Sequence, residues 1–206
     1  MKLNHFITSQ KILTFAYVLI LMARFNQWQN ITAWVYLSLH GTYGFLWALK
    51  SHIFPDKNWE RKTSLWYGLV SWAALSLYWI TPWIITSKGV QVQGLYLAAC
   101  ISMYTFGVFL HFSADMQKYT ALKLTPGYLI TDGLLARSRN INYFGELLIY
   151  LGFGLLARHW MPLFVILLFI LFVWIPNIIR KEKSLARYPD FEDYKRKSNL
   201  FIPFLF

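Results

Sequence analysis

The sequence predicts an all-α polytopic membrane bundle of about six transmembrane helices, with the N- and C-termini cytoplasmic. Three observations carry this. The 206 residues are 57% hydrophobic and only 14% charged, whereas soluble domains carry about 25% charged residues. Apolar runs recur at close to the length needed to cross a bilayer, about 20 residues at a rise of about 1.5 Å each. The basic residues fall between those runs in an alternating pattern.

The first helix is expected over residues 10–25, and its apolar stretch 12–23 follows Lys2 and Lys11 as that of a signal peptide would. It closes on Arg24-Phe25-Asn26-Gln27-Trp28 with no small-x-small cleavage pattern, so it reads as a retained helix. It is short for a span, and its ends are expected to snorkel or to sit in thin bilayer. Further runs cover residues 31–49, 64–86 (with Pro82 near the far end), 92–112, 142–157 and 161–179. Starting from a cytoplasmic N-terminus and alternating, 17 of the 20 Lys and Arg residues fall on the cytoplasmic side. Only Arg24, Lys88 and Arg158 fall on the other. That is the positive-inside asymmetry, and one missed span would scramble it. Trp28, Trp34, Trp79, Trp83 and Trp160 lie near the far-side ends and read as interfacial anchors.

The expectation is one integral membrane domain over residues 1–206, multi-pass, in a bacterial inner membrane or the endoplasmic reticulum. Residues 1–110 supply four helices. Residues 111–206 hold the sizeable polar segments, 113–140 and the tail from Arg180. A water-soluble cosubstrate is therefore expected from the cytoplasmic side. The net charge of +11 could suggest nucleic acid, but the cations are distributed between apolar runs and form no single patch, so membrane lipids are the expected partner. The single cysteine, Cys100, lies in an apolar run, which excludes a disulfide framework or a cysteine metal site. No glycine-rich dinucleotide fingerprint, P-loop, HExxH or GxSxG occurs.

Of nine acidic residues, only Glu146 lies inside an apolar run. A carboxylate facing lipid costs several kcal/mol, so Glu146 is expected to face a cavity or a partner. Asn142, Glu146 and Tyr150 recur at i, i+4, i+8 and share one helix face; the plainer reading is a packing hydrogen bond, or Asn142 as the helix cap. Tyr104, His111 and Asp115 form a second polar face, with Asp115 also able to pair with Lys118 or Lys123. Tyr36, His40 and Tyr43 form a third, which serves either packing or chemistry. Arg180, Lys181, Arg196 and Lys197 are candidates either for a cosubstrate's phosphates or for anionic lipid.

Four further pieces occur in order along the second half of the chain: Ser113-Ala114-Asp115-Met116-Gln117-Lys118; Gly127-Tyr128 leading into Asp132-Gly133-Leu134-Leu135; Arg139-Asn140-Ile141-Asn142-Tyr143-Phe144-Gly145-Glu146; and Phe191-Glu192-Asp193-Tyr194 through Phe201-Ile202-Pro203-Phe204-Leu205-Phe206. This set resembles the steroid 5-alpha-reductase family and its bacterial relatives. The resemblance implies an NADPH-dependent reductase of an activated carbon–carbon double bond in a lipidic substrate, steroid-like, enone or isoprenoid. It implies cofactor contacts from Asp115, Tyr128, Asn142 and Glu146, with Glu146 near the nicotinamide. His111, Arg139, Arg180 and Lys181 join them as candidates, and Glu146, Tyr36 and His40 are the candidates for the chemistry. Departures are visible: Asn140 and Ile141 replace the family's usual His and Pro, and His111 replaces Asn. One N-terminal helix is absent, and the first run carries no carboxylate to polarise a substrate. Membrane methyltransferases of isoprenylcysteine and phospholipids share a similar element and bind S-adenosylmethionine, and they are the alternative. A transporter or scaffold is disfavoured, because the polar side chains concentrate on one side.

Overall fold

The computed structural model describes residues 1–203; the last three residues of the Phe201–Phe206 motif, Phe204, Leu205 and Phe206, lie outside the described residues. The described chain is helical. Four helices are long and apolar enough to cross a membrane: α1 (Leu3–Arg24), α3 (Leu65–Ser87), α4 (Gly94–Leu124) and α6 (Trp160–Leu185). A more polar helix, α2 (residues 31–53), and a shorter apolar one, α5 (Ile141–Ala157), complete the six expected segments. The amphipathic α7 (Phe191–Lys197) ends the helical part.

The helices lie where hydropathy puts them, but several extend beyond their apolar runs. Helix α1 starts at Leu3 and needs no thinned bilayer. Its polar first turns are held by the loop before α3: Leu3 N–H donates to the Arg61 carbonyl (3.1 Å) and Lys2 Nζ to Glu60 (2.6 Å). Helix α4 continues three turns past Phe112, so Asp115 is helical and not in a loop. Helix α6 continues to Leu185 through Arg180 and Lys181. Hydropathy marks where a helix meets water; backbone hydrogen bonding, which polar residues sustain equally well, decides where it stops.

Two irregularities have a covalent cause. Pro82 and Pro176 each lack the N–H that would bond the carbonyl four residues back. The turn before Pro82 tightens to a 3-10 segment, Leu77–Trp79, and the turn before Pro176 widens to a π segment, Ile170–Trp174. Helix α2 contains another π segment, Leu37–Gly41, with no proline to explain it.

Large apolar side chains remain exposed along the long helices: Leu65 and Trp66 on α3, Phe106 and Phe109 on α4, Phe164 and Phe172 on α6. Surfaces of this kind are stable against hydrocarbon and not against water. The protein is a helical membrane bundle whose outer surface suits contact with lipid.

The chain forms two compact units, residues 1–104 with 151–165, and residues 105–150 with 166–206. In the first, α1 is held to α3 by Trp79 Nε1–H donating to Thr14 Oγ1 (2.8 Å) and by Tyr17 stacked on Trp79 at 4.2 Å. It is held to α2 by the Lys11 ammonium over the rings of Tyr43 and Trp47. In the second, Leu135, Ala114 and Ile141 form one apolar cluster, and Phe191 and Tyr194 of α7 pack with Leu129 in another.

Candidate functional site

The second unit gathers most of the polar residues singled out above, and the gathering starts from two glycines. A Cβ on Gly145 would lie 2.5 Å from the His111 backbone nitrogen and 2.8 Å from the Gly107 carbonyl oxygen; one on Gly107 would lie 2.6 Å from the Gly145 carbonyl oxygen. Only hydrogen at both positions lets α4 and α5 approach this closely. Gly145 of the Asn-Tyr-x-Gly-Glu motif is therefore a packing residue, and it sets the first turn of α5 against the fourth and fifth turns of α4.

That approach places Asn142 Nδ2 within 3.1 Å of Asp115 Oδ1, to which it donates. His111 Nδ1 lies 3.1 Å from the Asn142 carbonyl oxygen. A carbonyl only accepts, so Nδ1 carries a proton, and Nε2 is turned to Asp115 Oδ2 at 3.8 Å. Asn142 is thus not the helix cap. It lies inside the first turn, while the preceding Asn140 receives the Tyr143 N–H on its carbonyl (3.0 Å). Asp115 likewise has Asn142 and His111 beside it, not only the lysines of its own helix.

One turn along, Glu146 Oε1 accepts the Tyr150 hydroxyl (3.3 Å), so the i, i+4, i+8 face exists as spaced. The Trp174 indole closes on that face, with ring centroids 5.8 Å from Tyr143 and 6.1 Å from Tyr150. Among the described residues, Glu146 has no Lys, Arg or His nitrogen within ion-pair distance, and the Tyr150 hydroxyl is its hydrogen-bond partner. Two amide oxygens nearby, Asn140 Oδ1 and Asn142 Oδ1, are buried without a hydrogen-bond partner among the described residues. An acceptor left so costs about 1–3 kcal/mol. The start of α5 therefore carries more acceptors than the described residues supply with donors.

The cations are arranged otherwise. Arg139, 5% exposed, donates through Nε to both oxygens of Glu182 (3.1 and 3.0 Å) and through Nη1 to the Ser198 carbonyl (2.6 Å) and hydroxyl (3.0 Å). Lys181 Nζ donates to the Arg139 carbonyl. Ser138 Oγ and Asn140 Nδ2 donate to the carbonyls of Phe201 and Leu200 (2.7 and 2.9 Å), while the Tyr194 hydroxyl donates to that of Leu135 (2.7 Å). Burial pushes the Tyr194 phenol up to about 12, so it stays a donor across the physiological range. The tail thereby runs alongside residues 137–140, the segment that feeds α5. Arg180 is exposed, and Tyr128 is 65% exposed on the loop after α4. That loop is pinned by Gln117, which donates to the Asp132 carbonyl (2.9 Å) and accepts the Leu134 N–H (3.0 Å) around Gly133, whose φ of +54° no side chain adopts cheaply.

Tyr36 and His40 lie in the other unit. The Tyr36 hydroxyl and His40 Nδ1 are 2.6 Å apart, and the His40 ring stacks on Phe153 at 4.2 Å and 7°. Exposures of 0% and 2% seal the pair. Spacing alone could not reveal Glu182, Trp174 or the Gly107–Gly145 approach, since each partner comes from a different helix.

A family model described as "Protein of unknown function (DUF1295)" matches residues 55–198. No curated protein matches the chain.

Proposed function

The chain belongs to the DUF1295 family of proteins of unknown function, and from that premise we propose that it is a membrane-embedded, NADPH-dependent reductase of an activated carbon–carbon double bond in a lipidic substrate. The observation that supports the reading is the first turns of α5, where Asn140 Oδ1 and Asn142 Oδ1 are buried without a hydrogen-bond donor and Glu146 has the Tyr150 hydroxyl as its donor among the described residues. A nicotinamide nucleotide brings a carboxamide NH2 and ribose hydroxyls, the donors such a face fits. The four motifs resembling steroid 5-alpha-reductases support the same ligand, and three of them lie inside the matched range.

When bound, NADPH supplies the hydride. The protein contributes position and surroundings. Asp115 fixes the Asn142 amide, so its oxygen points away from the bond it donates. His111 ties the α5 backbone to α4. Glu146 offers a carboxylate whose Oε1 accepts the Tyr150 hydroxyl. The exposed Arg180 supplies positive charge for phosphates, with Lys181, held by the Arg139 carbonyl, next to it in sequence. Arg139 holds the tail against the segment that enters α5, and its own donors are taken up there. We assign Tyr36 and His40 a supporting role, since their polar atoms bond each other. The substrate class is an α,β-unsaturated ketone or a similarly activated alkene, because hydride addition needs a neighbouring group to take the charge. The orientation proposed is cytoplasmic entry of the cofactor, on the side holding 17 of 20 basic residues.

Thermal stability of the purified protein in detergent, measured with NADPH and separately with S-adenosylmethionine, tests the reading. A rise with NADPH, together with NADPH oxidation when a lipidic enone is added, is the expected result. A rise with S-adenosylmethionine alone transfers the site to a methyltransferase. Glu146→Gln, which keeps shape and the Tyr150 contact, is expected to lose at least about 100-fold in turnover with little change in melting temperature.

A further inference from the structure

Over its last turns, helix α6 carries two unlike faces. On the inner one, Trp174 and Ile178 are buried, Glu182 accepts the Arg139 Nε–H, and Leu185 packs against the Phe191–Tyr194 cluster. On the outer one, Ile175 and Ile179 are exposed, and the next residue at the same four-residue step is the exposed Lys183. An apolar stripe open to lipid thus ends on a cation, and the exposed Arg187 follows in the turn after the helix. Depth along the helix places both. Trp160, at the other end of α6, is 65% exposed and suits an interfacial anchor. From Trp160 to Ile179 the helix rises roughly 30 Å, the thickness of the hydrocarbon core. Lys183 stands about 6 Å further on, inside a headgroup layer that adds about 5–7 Å on each side.

No carboxylate lies within ion-pair distance of Lys183 or Arg187 among the described residues. Arg187 donates to the Tyr188 hydroxyl (3.1 Å) and lies over that ring, which leaves its charge uncompensated. The other cations of this end are placed differently. Arg139 and Lys181 are turned inward, and Arg180 is one residue off the stripe. Lys195, Arg196 and Lys197 share α7 with Glu192 and Asp193, the latter 3.7 Å from Arg196.

We propose that Lys183 and Arg187 form a docking surface for the phosphate of an anionic phospholipid, whose acyl chains lie along Ile175 and Ile179. The inference stands apart from the reductase reading and needs no cofactor. The phosphodiester brings the negative charge that matches the two cations, and the chains cover a surface that water does not stabilise. Glu182, beside Lys183 in sequence, holds Arg139 on the opposite face, so a lipid seated here also steadies the turn that clamps the tail.

The test titrates pyrene-labelled phosphatidylglycerol, or phosphatidylcholine with the same chains, into detergent micelles holding the full chain, and reads energy transfer from the protein's tryptophans. Wild type is expected to bind phosphatidylglycerol roughly 30-fold more tightly, the combined worth of two surface cations. Lys183→Gln with Arg187→Gln is expected to bring the two lipids within about threefold of each other. Arg196→Gln with Lys197→Gln is expected to leave the preference intact. Equal wild-type affinities overturn the proposal, as does a preference that survives the loss of Lys183 and Arg187. An equal fall in the α7 variant also overturns it, because the number of charges and not their placement would then decide. Displacement of the lipid by inorganic phosphate, beyond that by chloride at equal ionic strength, would make this a soluble-anion site and overturn the lipid assignment. If the double variant fails to fold, Lys183→Gln alone decides: a loss of about fivefold supports the site, and no loss overturns it.

Discussion

In the unit holding α1–α3, the polar residues that share the face of Tyr36 are paired from within, although the Ser87 and Tyr104 hydroxyls are buried without a hydrogen bond among the described residues. The Tyr36 hydroxyl meets His40 Nδ1 at 2.6 Å, Phe153 covers the imidazole, and the Lys11 ammonium lies over two aromatic rings. In the unit holding residues 105–150 and 166–206, some polar groups are bound tightly and others are left open. Arg139 uses its donors on Glu182 and Ser198, while Asn140 Oδ1, Asn142 Oδ1 and the second oxygen of Glu146 receive nothing from the described residues. Polar side chains in a membrane bundle serve packing when their bonds close among themselves, and point to a ligand when acceptors outnumber donors. Under the reductase reading proposed above, the chemistry belongs to the second unit and the Tyr36–His40 pair to the packing of the first, and each substitution below attacks one side of that division.

The largest effect is expected from Gly145→Val. Its Cβ meets backbone atoms, the His111 nitrogen and the Gly107 carbonyl oxygen, and backbone does not step aside. Separating α4 from α5 costs on the order of 3 kcal/mol or more and parts Asn142 from Asp115. Detergent melting should show a fall of many degrees, with loss of NADPH stabilisation. A variant that melts like wild type would show that the two helices need not touch.

Next comes Arg139→Met, which keeps the aliphatic stem but strands the Glu182 carboxylate and the Ser198 carbonyl. Removing one partner of a buried pair costs about 3 kcal/mol. The diagnostic is Arg139→Met with Glu182→Gln: neutralising the stranded acid should restore part of the melting temperature. If the single variant is as stable as wild type yet binds NADPH at least tenfold more weakly, Arg139 belongs to the phosphate site and not to the tail.

His40→Phe probes the first unit. The ring stack on Phe153 survives, and the bond from Tyr36 is lost, for about 1 kcal/mol. Turnover per folded molecule should hold within about twofold. A large loss of turnover at unchanged stability would return the Tyr36–His40 pair to the chemistry and erase the division of labour argued above.

Much of the fold was legible in the sequence because lipid imposes one rule, that a span be apolar and close its own backbone bonds. The six segments and the shared face of Asn142, Glu146 and Tyr150 follow from that rule and from helical spacing. Helix ends were not legible, since Asn4, Thr8, Ser113 and Gln117 continue helices into water as readily as apolar residues do. The clamp was not legible either: Arg139 reads as a phosphate ligand until Glu182, 43 residues on, is found on its Nε. Gly145 reads as motif decoration until Gly107 appears opposite it. Each of these depends on which helix stands beside which, and periodicity within one helix carries no such information.

The smallest effect belongs to the first unit's polar edge, where Lys2 Nζ donates to Glu60 Oε2 at 2.6 Å and Asn4 Nδ2 to Oε1 at 3.0 Å. The Lys2 hydrogen bond, seconded by that lysine's charge, holds the Glu60 carboxyl below its usual value of 4.5. A carboxyl depressed on folding contributes stability that is present above its unfolded value and fades as pH falls through its folded one. The side chains are 50% and 29% exposed, so water screens the pair and its worth is under about 1 kcal/mol. Lys2→Ala should therefore lower the detergent melting temperature by a degree or so at neutral pH and by nothing once pH has dropped below the folded carboxyl value. Raised salt should shrink the neutral-pH difference. A difference that stays constant through the acid range would mean that Lys2 acts through the packing of its aliphatic stem, since alanine keeps the backbone bridge to Lys62, and that the charge on this edge is incidental to how the first unit closes.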